Sequence, residues 1–244
     1  ILKNKYYDNL SKDREKNIGY QFKDNINFKN IKFNYQGKED NIIFENLNLE
    51  IKKKEIIGVF GPSGSGKSTF ADLLSGLLIP SAGSIFLDGK NVVDNPYILN
   101  AIFAYVPQTV YLLNDTIKNN ITFGEDVDEK RLEKAVQLAQ LYTYIKKATN
   151  GIETIVGERG TMLSGGQIQR IGIARAIYHE SEILIFDEST NALDLKSENN
   201  IIEEIKELKN SKTIILISHK ISTLRICDKV YELKDRKLEL KKNY

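Results

Sequence analysis

Residues 55–69, EIIGVFGPSGSGKST, run from a short apolar stretch straight into a glycine-rich loop and then into Phe70, Leu73, Leu74 and Leu77, which recur at helical spacing. Strand, loop and helix in that order predict one unit of an α/β sheet. Gly61, Gly66, Lys67 and Ser68 satisfy the pattern G-x-x-x-x-G-K-[ST]. Glycines let the backbone wrap an anion with its N–H groups, so the whole loop, Gly61, Pro62, Ser63, Gly64, Ser65, Gly66, Lys67, Ser68 and Thr69, is the candidate phosphate cradle. Lys67 is suited to the β- and γ-phosphate oxygens of a nucleotide, and the Ser68 hydroxyl is a hard ligand suited to Mg²⁺.

Working outward, EILIFDE and TIILISH are continuous apolar runs of the kind that parallel sheets bury on both faces. Asp187 and Glu188 follow the first, so both carboxylates are expected at the carboxyl edge of the sheet, where open α/β sheets bind ligands. Asp187 suits a metal shell. Glu188 suits a general base acting on water, although an acidic pair after a strand also caps helices. Gln108 follows AIFAYVP, read as another buried strand, and His219 follows TIILIS, which brings both to the same edge. Taken singly, each is as readily a structural residue.

A second anion receptor is expected a hundred residues later, in residues 161–170, TMLSGGQIQR. Ser164, Gly165, Gly166 and Gln167 open a helical run, and helix starts present unpaired N–H groups and positive dipole. Residues 129–147, with Leu132, Ala135, Val136 and Ala139 on one face, read as a helix, as does the run around Ile201, Ile202, Ile205 and Leu208. INFKNIKFNY and, in part, NIIFENLNLEI alternate as half-buried antiparallel strands do, and the end, KVYELKDRKLELK, reads as a closing hairpin or pair of edge strands. The fold class expected is α/β: a P-loop NTPase core with a mostly parallel sheet, an N-terminal antiparallel β subdomain, and an inserted α-helical subdomain at about residues 109–180.

Composition narrows the classes. With 244 residues the chain can bury one large core with an insertion. Its 35 basic and 33 acidic residues are interspersed and the net charge is +2, so nothing in the charge pattern calls for nucleic acid. One cysteine, Cys227, excludes an internal disulfide. Apolar runs are strand-length, well short of the roughly 18 to 20 residues of a membrane helix. The first residue is Ile1 and the only methionine is Met162, which suggests sequence upstream of the chain; the lysine-rich residues 1–25 read as a linker arriving from a preceding domain, with the nucleotide-binding domain over 26–244.

Together these motifs resemble the nucleotide-binding domains of ABC transporters, in that family's order and spacing from about Ile26 onward. GPSGSGKST is similar to its Walker A, YVPQ to its Q-loop, LSGGQ to its signature, ILIFDE to its Walker B, NALD to its D-loop and ISHK to its switch-histidine segment. VGERG and YLLNDTIKNNITFG resemble the exporter branch, and the short C-terminal end resembles flippases of lipid-linked sugars. Asn191 and Ser189 stand where serine and alanine are usual, without removing a catalytic group.

The resemblance implies ATP and Mg²⁺ as cofactors and a role for each matched position. Tyr35 would stack on adenine, Gln108 would contact Mg²⁺ and the attacking water, Glu188 would be the base, and His219 would hold the γ-phosphate. Asp194 would end the D-loop that reaches the partner's site. Two copies would meet head to tail, with Ser164, Gly165, Gly166 and Gln167 of one closing over the ATP of the other, which accounts for the second anion receptor. A second nucleotide-binding domain, expected to be identical, and a transmembrane domain, fused upstream or separate, are the implied partners, without nucleic acid. The implied location is the cytoplasmic face of the plasma (inner) membrane. Rival readings are a soluble ABC-type ATPase acting on nucleic acid or ribosomes, disfavoured by the uninterrupted run from Gly61 to Gln167, and an ATP-regulated module without turnover, disfavoured by Glu188.

Overall fold

The computed structural model describes residues 21–35, 42–189 and 195–241. Asp194, Asn191 and most of the expected 1–25 linker lie outside the described residues. Alternating polar and apolar residues form β1 (Asn25–Asn34) and β2 (Ile42–Lys52), which pair antiparallel with Ile26 opposite Ile51 and Phe28 opposite Leu49. With β4 (Ala82–Leu87) and β5 (Lys90–Asn91) they make a four-stranded sheet in the order β2-β1-β4-β5. The Asp-Gly turn between β4 and β5 takes two positive φ angles, 48° at Asp88 and 81° at Gly89, as a tight hairpin requires.

The second sheet has six strands in the order β10-β9-β3-β8-β7-β6. β3 (Ile56–Phe60), β6 (Phe103–Val106), β7 (Ile183–Asp187), β8 (Thr213–Ile217) and β9 (Lys229–Lys234) run parallel, and β10 (Lys237–Lys241) closes the edge antiparallel to β9. The C-terminal hairpin exists as expected, but only β10 is an edge strand, because β9 also pairs with β3. Every residue of β8 is buried, as are the first four of β3 and β7. Each large aliphatic side chain so enclosed stabilises the fold by roughly 1.5–3 kcal/mol.

Two faces of this sheet have separate covers. On one, Phe103, Ile183, Ile185, Ile215 and Ile217 pack with α1 (Lys67–Leu74) and the antiparallel sheet. On the other, Val106, Leu184, Phe186, Ile214 and Leu216 pack with α6 (Gly165–Tyr178) and α7 (Leu195–Leu208). Between β6 and β7 the chain forms α3 (Ile117–Thr122), α4 (Glu129–Leu138), α5 (Tyr142–Lys147) and then α6. Tyr178 anchors α6 to the start of α4: it is fully buried, its hydroxyl donating to the Asp126 carbonyl at 2.9 Å and accepting the Asp128 amide at 3.0 Å.

Two elements differ from the sequence reading. Residues 129–147 are two helices, α4 and α5, because Gln140 adopts φ 54° and turns the chain between them. AIFAYVP is not one buried strand: Ala101 and Ile102 end α2 (Pro96–Ile102), which Pro96 opens, the strand begins at Phe103, and Tyr105 is 40% exposed. Short apolar runs carry too little periodicity to separate a helix end from a strand start.

Candidate functional site

Because β3, β8, β7 and β6 are parallel neighbours, their carboxyl ends share one edge of the sheet. The phosphate loop leaves β3 there, and α1 begins at Lys67 with Gly66 as its N-cap. No side chain caps this helix start and no acidic residue lies in its first turn, so its amide groups face outward without a local anion. Gly66 sits at φ 96°, a conformation other residues rarely adopt. Gly61 has no room for more: a Cβ there would fall 2.4 Å from the Leu233 carbonyl oxygen.

The loop satisfies itself only in part. The Lys67 ammonium donates to the Gly61 and Pro62 carbonyls at 3.0 and 3.1 Å. The Ser65 hydroxyl is buried without a hydrogen-bond partner. A cation folded onto its own loop, an orphaned hydroxyl and an uncapped helix start fit a phosphate group, and the exposed Ser68 hydroxyl with the Asp187 carboxylate is a hard oxygen donor set that fits Mg²⁺. Tyr35, 42% exposed, is tied to this loop by a 3.0 Å hydrogen bond between its hydroxyl and that of Thr69, and packs edge-on against Phe33 with ring centroids 5.0 Å apart.

β7 delivers Asp187 as its last residue, and Glu188 follows at φ 46° with its amide donating to the Ile217 carbonyl at 2.8 Å. That turn aims Glu188 at the neighbouring strand, where His219 Nε2 lies 3.1 Å from Glu188 Oε1. A carboxylate and an imidazole from adjacent strand ends are thus in hydrogen-bond reach of each other. Gln108 is exposed, beyond the end of β6.

Ser164 caps α6 in a reciprocal box: its hydroxyl accepts the Gln167 amide at 3.4 Å, while Gln167 Oε1 accepts the Ser164 amide at 2.8 Å. Gln167 is therefore engaged within its own helix, whereas Ser164 and Gly165 are exposed.

Tyr105, Asp72 and Glu198, with its partners Lys220 and Ser222, escaped the sequence reading. Tyr105 donates its hydroxyl to Asp187 Oδ2 at 2.6 Å. Its phenol is pushed upward by burial and then by the bond to Asp187 and the charges of Asp187, Asp72 and Glu188, so it stays protonated across neutral pH. Asp72, on α1, is raised by burial and by the charge of Asp187. Glu198, 4% exposed on α7, accepts Lys220 Nζ at 2.6 Å and the Ser222 hydroxyl at 3.0 Å, gripping the chain just after His219. Tyr105 stands in the quoted YVPQ and Lys220 beside His219, but only strand order and packing reveal what they meet.

A phosphate loop leaving an inner parallel strand, with carboxylate and imidazole groups from its sheet neighbours at the same edge, defines a P-loop nucleotide-binding domain. Residues 44–191 match the family model described as ABC transporter. Over 228 residues, 91% of this chain and 39% of the relative, the sequence is 40% identical to the ATP-dependent lipid A-core flippase of Vibrio vulnificus (strain YJ016). It is 43% identical over 207 residues, 84% of this chain and 29% of the relative, to the leukotoxin translocation ATP-binding protein LktB of Mannheimia glucosida. A bacterial Atm1-family ABC exporter solved with ATP bound superposes with a TM-score of 0.77 at 35% identity, covering 88% of this chain and 38% of that one. The chain belongs to the ABC transporter family, and its α/β architecture is that of an ABC exporter's ATP-binding domain. It spans 39% of the length of the flippase relative.

Proposed function

We propose that the chain binds and hydrolyses ATP as the motor domain of a membrane exporter, working as a head-to-tail pair. The observation that carries this reading is the 3.1 Å approach of Glu188 to His219 at the sheet edge that also bears the phosphate loop. Lys67 exchanges its bonds to the Gly61 and Pro62 carbonyls for phosphate oxygens, and the amides of residues 64–69 surround the same group. Tyr35 stacks on the base. Ser68, Asp187 and Gln108 would hold Mg²⁺, which when bound would supply positive charge against the nucleotide's phosphates. Glu188 orients the attacking water and accepts its proton, and His219 keeps Glu188 and the terminal phosphoryl group aligned.

Ser164 and Gly165, exposed at the start of α6, close over the nucleotide held by the second copy with the buried Gly166 next in the helix, and Asp194 serves the partner's site. Gln167 supports this surface from within, through the capping box. Likeness to a flippase and to a bacterial ABC exporter supports a membrane domain as further partner, and the reading puts the chain on the cytoplasmic side of the inner membrane. Residues 1–25 form the connection to that domain, 26–244 form the motor, and about 109–180 form its helical subdomain.

The test is phosphate release with Mg²⁺-ATP, paired with binding of a fluorescent ATP analogue. Turnover in the unaltered chain together with analogue binding that survives Glu188→Gln supports the reading. Binding without any turnover at high protein concentration would reduce the chain to a nucleotide-regulated module.

A further inference from the structure

We infer that Tyr105 is a positioning residue for the metal-binding carboxylate, fixing Asp187 through its hydroxyl across the β6–β7 pair; the inference rests on the proposed Mg²⁺ site. In the parallel register Tyr105 is the Cα partner of Ile185, two residues before Asp187, so Tyr105, Ile185 and Asp187 share one face of the sheet. Two strand residues rise about 6.6 Å, a span that a phenol leaning along the strand covers and a shorter side chain does not. At 2.6 Å the contact has the length of a hydroxyl bonded to an ionised carboxylate.

This tie does what a partner behind a metal ligand does: it occupies Oδ2, fixes the rotation of the carboxyl group and leaves Oδ1 for the ion. It also offsets repulsion, since Asp72 on α1 and Asp187 face each other with like charge. Its position adds a second link. Tyr105 stands three residues before Gln108, so the bond spans the two strand ends from which the proposed metal ligands Asp187 and Gln108 emerge.

Tyr105→Phe deletes the hydroxyl and keeps the ring. With Mn²⁺ as the spectroscopic probe and a non-hydrolysable ATP analogue bound, electron paramagnetic resonance titration of the variant is expected to show about tenfold or greater loss of Mn²⁺ affinity. Analogue affinity in the presence of a chelator and the thermal midpoint should stay at the unaltered values. Tyr105→Leu should match Tyr105→Phe in Mn²⁺ affinity. Unchanged affinity in the Phe variant overturns the inference, and so does a loss confined to Leu, which would assign the effect to ring packing. If the unaltered chain binds the analogue but no Mn²⁺, the proposed metal site itself fails, a result distinct from failure of the tyrosine tie.

Discussion

Glu188 occupies a left-handed backbone conformation, φ 46°, that costs a non-glycine residue about 1–3 kcal/mol. Glycine would relieve that strain, yet the position carries the one carboxylate whose side chain reaches His219 from the end of β7. The strain is thus coupled to aiming. Glu188→Gln keeps the shape and removes the basic oxygen, so hydrolysis is expected to fall by about 10²- to 10⁴-fold while ATP binding persists. Phosphate release and analogue binding measured on the same preparation decide it, and unaltered turnover would remove Glu188 from the role of base.

At the scale of elements, the start of α6 serves two ends that one residue can separate. Ser164 caps its own helix and also faces outward. Ser164→Ala is expected to cost about 1 kcal/mol and lower the thermal midpoint by about 2–4 °C. Ser164→Asp keeps an equally good cap, so the midpoint should hold, while a carboxylate placed where a partner's phosphate docks should abolish hydrolysis without weakening ATP binding to the monomer. Full hydrolysis in the Asp variant would mean that α6 meets no phosphate. A second coupling joins α7 to the segment carrying His219. Glu198→Ala removes the buried carboxylate that the Lys220 ammonium and the Ser222 hydroxyl share, and should destabilise the fold by about 1–3 kcal/mol in a denaturant titration. A midpoint unmoved by that change would show that the clasp does not contribute.

For the whole molecule, the proposed head-to-tail pairing, in which exposed Ser164 and Gly165 meet a second copy's nucleotide, implies that one copy holds half of each site. Specific ATPase activity should therefore rise with protein concentration and level off once pairs are saturated, as mass action requires. A flat specific activity over a hundredfold dilution series would refute shared sites. Among the described residues no helix is long and apolar enough to cross a membrane, so surface contacts are one route by which force from the proposed pairing leaves the domain. Exposed Tyr111, Leu113, Ile155 and Met162, which follow the Q-loop or flank VGERG, offer apolar area for that transfer.

Sequence alone determined the phosphate loop, the doubly buried strands β3, β7 and β8 and the helix start at Ser164, because each is written in a contiguous run: glycines where backbone must bend, unbroken aliphatics where both faces are covered, a capping serine before a periodic stretch. Elsewhere, boundaries slipped at Ile102 and Gln140, where a few residues hold too little periodicity to separate a helix end from a strand start or from a second helix. Tertiary structure alone decided who meets whom. Glu188 reaches His219, Tyr105 reaches Asp187 and Glu198 reaches Lys220 across 31, 82 and 22 residues of sequence respectively, counted from their numbering. Such meetings follow from strand order and register, which are set by how whole faces bury one another, and no local pattern of residues encodes that.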